Sequence, residues 1–230
     1  DQAVLDVNKS QTRLDGIIRL GASSVPSQCI VPKLVKKFRG KYANITFSIC
    51  QSSSKTIADK VLEGTIDAGV IGELYGNDKL EYIPLQKERL VLITAADKFH
   101  IQAPVKMEDI IHLPFILRNS NSGTFSMLKR FLKKKGIKEE HLNVAAYTDT
   151  TQSLVEFVRQ GIGISIISEL AAKEYEASHL FNVYKIEDFQ DERFFYLVYN
   201  KKKTHSMIAK LFIKMASEER FSEEKQSELV

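Results

Sequence analysis

The sequence of 230 residues predicts an α/β protein built from two similar lobes, and three observations carry that expectation. Two stretches share one grammar: Ser54-Lys-Thr-Ile-Ala-Asp-Lys-Val-Leu-Glu-Gly64 and Thr151-Gln-Ser-Leu-Val-Glu-Phe-Val-Arg-Gln-Gly161 each run from a hydroxyl to a glycine. Ile57 and Val61 in the first match Leu154 and Val158 in the second. Each stretch follows a hydroxyl-rich loop and precedes an apolar run, Ala68 to Ile71 or Ile162 to Ile167. Elsewhere strand-like runs alternate with helical periodicity, the pattern of parallel sheets with helices on both faces. Strand, hydroxyl loop, helix, glycine stop and strand, used twice, place a ligand between the lobes, where helix N-termini converge.

Each element has a local reason. Ile17 to Leu20 is a short apolar strand ending at Gly21, and Ala22 to Ser27 is a loop of small residues. A helix then carries Val31, Leu34, Val35 and Phe38 at helical spacing, with Pro32 in its first turn, where proline is tolerated. Ile45, Phe47 and Ile49 alternate as in a strand. The first repeat helix runs from Ser54 to Glu63, and Asp67 to Gly72 is the next strand. Tyr82 to Leu85 and Leu90 to Thr94 read as strands, the second leaving the first lobe. Met107 to Ile111 is a short helix and Phe115 to Leu117 a strand. Ser122 to Lys135 is a helix with Phe125, Leu128 and Leu132 on one face and Gly136 as its stop. Val144 to Tyr147 is a strand; the second repeat helix and a strand over Ile164 to Ile167 follow. Glu169 to Glu176 is helical, Asn182 to Ile186 a strand, and Arg193 to Tyr199 a strand returning to the first lobe. Ser206 to Ala216 is an amphipathic helix carrying Ile208, Leu211, Phe212 and Met215. The expected division is a linker over residues 1–15, lobe I over 16–94 plus 194–220, lobe II over 95–193, and a frayed tail over 221–230.

Composition narrows the class. Hydrophobic content of 43% and charge of 27% are ordinary for a globular chain, and no apolar run reaches the roughly 20 residues of a membrane span. The start lacks the basic-then-apolar plan of a secretory signal, and Cys29 and Cys50 are isolated thiols without CxxC spacing. A cytoplasmic protein with no membrane partner, no metal and no cofactor is expected. Net charge of +4 is mild. The runs Lys133-Lys134-Lys135 and Lys201-Lys202-Lys203 are not interleaved with aromatic residues as on a nucleic-acid-binding surface, and read as solvated faces.

Four segments put hydroxyls or amides after a strand and at the mouth of a helix: Ser23-Ser24, Ser52-Ser53-Ser54, Ser120 to Thr124, and Thr148 to Thr151. Helix N-termini carry unpaired N–H groups and partial positive charge, so an oxyanion there is stabilised. Taken singly each segment is a helix cap. In matching positions the hydroxyls of all four segments, Thr148 among them, are a stronger signal of a shared anion site. Arg118, ending a strand beside Ser122 and Thr124, could fork onto a carboxylate, sulfate or phosphate. Catalysis is not indicated, because the five histidines are scattered and no HExxH, Walker or GxGxxG motif occurs.

Leu20-Gly-Ala-Ser-Ser24, Val31-Pro-Lys-Leu34 with Phe38, Asp67-Ala-Gly-Val-Ile-Gly72, Pro84-Leu85, Leu90-Val-Leu-Ile93, Leu113-Pro-Phe-Ile116 and Gly161-Ile-Gly-Ile-Ser-Ile-Ile-Ser168 occur in this order. Over residues 16 to 220 they resemble the effector-binding domain of LysR-type transcriptional regulators. The Arg118 to Thr124 segment resembles the subgroup tied to sulfur or selenium metabolism. The resemblance implies two Rossmann-like lobes joined by two crossover strands, as in periplasmic binding proteins, with an effector in the interlobe cleft. Family contacts map onto Ser23, Ser24, Ser53, Ser54, Ser122, Thr124 and Thr150, with Arg118 as an addition. It further implies a small anionic effector (a carboxylate or sulfur oxyanion), a homodimer or homotetramer, and DNA bound only through an N-terminal winged helix-turn-helix not in this sequence. Residues 1–15 then read as the remnant of a linker helix, and Val31, Val35 and Ile45 as pairing residues. The rivals are a transporter's solute-binding protein for a small anion and, less compatible with the residues, a dehydratase-type enzyme on the same lobes.

Overall fold

The computed structural model describes residues 14–119, 122–176 and 179–219. The expected linker lies almost entirely outside these residues, as do the expected tail and the candidate-loop residues Ser120 and Asn121. The chain divides into two compact units, one formed by Asp1–Lys87 with Phe194–Val230, the other by Glu88–Arg193.

In the first unit β1 (Gly16–Ala22) lies between β2 (Ile45–Gln51) and β3 (Ala68–Ile71), parallel to both. The sheet order is β2-β1-β3-β10-β4, with β10 (Arg193–Asn200) antiparallel to β3 and β4 (Leu80–Glu88) beside β10. The sheet is therefore mixed rather than parallel throughout, because β10 enters from the second unit and runs back against β3. Three helices follow the first strands: α1 (Ser24–Cys29), α2 (Val31–Lys41) and α3 (Ser54–Glu63). The expected loop over Ala22 to Ser27 is thus mostly helix. Ser27 and Ile30 donate backbone hydrogen bonds to Ser23 and Pro26, closing the turns despite the short side chains.

Helix α3 buries Ile57, Ala58 and Val61 against Ile66, Ile71, Leu80 and Val198. Its close approach depends on Gly69, where an added Cβ would fall 2.5 Å from Ile57 Cγ2. A second group joins Phe38 of α2, Phe47 of β2 and Phe212 of the C-terminal helix at centroid spacings of 5.5–5.9 Å, the tilted and edge-on range that aromatic rings prefer. Val31 and Ile45, expected to pair with a partner, are 0% and 1% exposed and belong to this unit's core. The exposed apolar side chains on β1 and β2 are Ile17 and Ile49.

In the second unit β5 (Leu90–Ala95) pairs antiparallel with β8 (Ser165–Ser168) and with β9 (Phe181–Tyr184). This pairing moves 88–94 out of the first lobe, correcting the boundary expected at residue 94. β6 (Phe115–Arg118) runs parallel to β7 (Val144–Thr148) and is tied to the start of β8. In that tie Ile116 N donates to Ile164 O and Ile164 N to Pro114 O, each at 2.8 Å. Consecutive residues alternate between two cores. Leu90, Leu92, Phe115 and Leu117 join Phe125, Leu128 and Leu132 of α5 (Gly123–Lys134). Val91, Ile93 and Ile116 join Leu154, Val155 and Val158 of α6 (Thr151–Arg159). Period-two alternation on the strands therefore buries both faces beneath helices. Helices α4 (Met107–Ile110), α7 (Glu169–Glu176) and, in the first unit, α8 (Met207–Glu218) complete the described elements, with one 3-10 turn at Glu139–His141.

Candidate functional site

The repeated stretches fold as structural equivalents. Ser53 caps α3 by accepting a hydrogen bond from Thr56 N at 3.2 Å, and Thr150 caps α6 by accepting one from Ser153 N at 3.0 Å. Each cap hydroxyl also meets a second hydroxyl at 2.9 Å, Thr56 Oγ1 or Ser153 Oγ. The next residues, Ser54 and Thr151, are both buried. Gly64 and Gly161 stop the two helices with φ of 75° and 70°, the left-handed region open to glycine.

Within the first unit, Ser23 and Ser24 follow β1 while Ser53 and Ser54 follow the adjacent parallel strand β2, so both pairs lie at carboxyl ends of neighbouring strands. Ser23 stands at the N-cap of α1 with extended backbone and no side-chain cap bond. Ser54 Oγ accepts from Gly72 N at 3.4 Å, linking the start of α3 to the end of β3. Beside them Ser27 Oγ donates to Ser24 O and meets Gln51 Oε1.

The second unit repeats this layout on β6 and β7. Ser122 caps α5 through a long 3.5 Å bond from Phe125 N, and Thr124 sits half-buried in the first turn. Thr150 is exposed, whereas the Thr148 hydroxyl is turned inward and donates to Thr150 O. Arg118 Nη1 donates to Thr151 Oγ1 at 2.8 Å and Nη2 to Asp149 O at 2.7 Å, while its buried Nε–H has no partner among the described residues. Burial pulls the Arg118 pKa down and the Asp149 carboxylate pushes it up. Asn119 Nδ2 adds a hydrogen bond to Asp149 Oδ1. The guanidinium thus fastens the β7–α6 loop to the end of β6. Sequence reasoning nominated Arg118 but missed Thr151 and Asp149 as its partners, since nothing in the local pattern joins residues about thirty positions apart.

Each unit therefore presents two helix N-termini at the carboxyl ends of adjacent parallel strands, where open α/β sheets commonly bind ligands. Donor amides, hydroxyls and the positive helix ends favour an oxyanion. Among the described residues no helix is long and apolar enough to cross a membrane.

A mixed α/β fold of two units linked through β4 and β10, with hydroxyl-bearing helix ends at each sheet, is of the periplasmic-binding-protein-like class. The family model described as LysR substrate binding domain matches residues 11–220. The chain belongs to the LysR substrate-binding domain family. A protein of Methanocaldococcus jannaschii named as an uncharacterized HTH-type transcriptional regulator is 31% identical over 199 residues, covering 86% of this chain and 67% of that protein. The chain spans 41% to 67% of the first curated relatives it matches. Among solved structures, the effector-binding domain of QuiR in complex with shikimate superposes with a TM-score of 0.76 at 24% identity, covering 88% of this chain and 96% of that one. The regulatory domain of Synechocystis PCC6803 CcmR in complex with 2-PG gives a TM-score of 0.77 at 21% identity, with 88% and 96% coverage.

Proposed function

We propose that this chain is the effector-sensing part of a LysR-type transcriptional regulator, and that its effector is a small anionic metabolite. The observation that carries the reading is the duplicated layout: Ser23, Ser24, Ser53 and Ser54 in one unit, Ser122, Thr124 and Thr150 in the other, all at helix N-termini. Arg118 and Thr148 hold the second loop in shape. In this proposal the anion binds at these helix ends, and its differential affinity for two arrangements of the protein shifts their populations. A DNA-binding domain elsewhere in the regulator reads that shift. The shikimate and 2-PG named for the two structural relatives support an acidic ligand class.

The test is a thermal-shift series with shikimate, 2-phosphoglycolate, sulfate and thiosulfate on the parent, Ser24→Ala and Thr124→Ala. A ligand at a hundred times its Kd adds about 2.7 kcal/mol, or roughly 5–10 °C for a chain of this size. At least one anion should stabilise the parent by that order and each variant by less. Equal shifts in all three proteins would remove these hydroxyls from the site.

A further inference from the structure

Glu88, the last residue of β4, and Arg193, the first of β10, form an ion pair almost wholly out of water. Arg193 Nε donates to Glu88 Oε2 at 2.9 Å, with side chains 11% and 0% exposed. Removing two charges from water costs several kcal/mol per ion, and such pairs often stabilise a fold no better than apolar residues do. Burial pushes the Glu88 carboxyl up, with Arg193 and Ser168 only partly opposing it. Ser168 acts on that carboxyl from close by, and among the described residues Ser168 Oγ and Glu88 Oε1 are buried without another hydrogen-bond partner. Glu88, Arg193 and Ser168 thus form one buried polar cluster where β4, β8 and β10 meet.

Its location points to a ligand. Gly123 opens α5, and a Cβ there would lie 2.6 Å from Arg193 Nη1 and 3.6 Å from Nη2. The guanidinium therefore rests on the first turn of α5, between the cap residue Ser122 and Thr124. A cation against the positive end of a helix is repulsive. An anion shared by the guanidinium and the helix amides turns that repulsion into a joint site. We infer that Arg193 is the charged contact for the acidic group of the effector, with Glu88 as the positioning residue that orients its guanidinium. This deepens, and rests on, the effector-binding reading above.

The experiment is calorimetric titration of the parent, Arg193→Lys, Thr124→Ala and the double variant Glu88→Gln/Arg193→Met with shikimate, methyl shikimate, 2-phosphoglycolate and sulfate. The double variant removes both buried charges together, so neither is stranded. It should keep a cooperative melt but bind the parent's preferred anion at least tenfold more weakly. If the pair is too important for folding to be replaced, Arg193→Lys keeps the charge, loses the planar fork, and should still weaken binding several-fold. Where shikimate is the ligand, the parent should prefer it to its uncharged methyl ester and the double variant should not, a contrast that a purely structural role would not produce. Parent-like anion affinity in the Arg193 variants, with Thr124→Ala weakened, overturns the role of Arg193 and leaves the effector-binding reading standing. A parent that binds none of the acids overturns both.

Discussion

Replacing Gly163 by alanine tests whether the second unit depends on backbone contact that only glycine permits. A Cβ at this position would lie 2.4 Å from Pro114 O and 3.1 Å from Pro114 C. Both are backbone atoms and cannot rotate away, and the contact is about 1 Å short of ordinary van der Waals separation. Relief requires β6 to withdraw from the start of β8, stretching the two 2.8 Å hydrogen bonds that join Ile116 and Pro114 to Ile164. Overpacking of this kind costs about 1–3 kcal/mol and each weakened backbone hydrogen bond about 0.5–1.5. The sum is about 4 kcal/mol, a large part of a typical stability of roughly 5–15. In urea the unfolding midpoint, followed by far-ultraviolet circular dichroism, should fall by about 1–2 M. Gly76→Ala is the control, since a Cβ there meets nothing within 4 Å. The reasoning is refuted if Gly163→Ala and Gly76→Ala unfold at the same denaturant concentration. Because β6 carries Arg118 and leads into α5, the Gly163 variant should also lose anion binding.

The other expectations are local. Ser53→Ala and Thr150→Ala each remove a cap hydroxyl accepting a backbone N–H, and each should cost about 1 kcal/mol in urea unfolding; unchanged midpoints would show that the caps are dispensable. Glu88 has a raised carboxyl pKa in the folded protein, so its contribution is most favourable below the unfolded value near 4.5 and declines as pH rises through the folded one. The stability of Glu88→Gln relative to the parent should therefore improve as pH increases from 4.5, and a flat difference across that range would contradict the burial effect. Arg118→Met releases Asp149 O and Thr151 Oγ1, so amide exchange over residues 149–153 should accelerate while that of α3 does not.

The sequence alone determined the elements whose signals are short-ranged. Apolar periodicity and cap chemistry located α3, α5, α6 and α8 to within a residue or two, and the same periodicity marked Ile57, Val61, Leu154 and Val158 as buried. Hydroxyl, helix, glycine stop and strand could be read twice because each feature acts within a few residues of its neighbour. Only the tertiary structure decided which strands share a sheet. β5 follows β4 in sequence but pairs with β8 and β9, and β10 returns antiparallel to β3. It also turned Val31 and Ile45 into core and gave Arg118 its partners across the β7–α6 loop. Glu88 and Arg193 show the limit most clearly: the strand expected over Tyr82 to Leu85 stopped short of Glu88, and the pairing with Arg193 spans 105 residues. Local preference fixes what a segment can become, whereas sheet pairing and buried charge depend on which distant segments exclude water together.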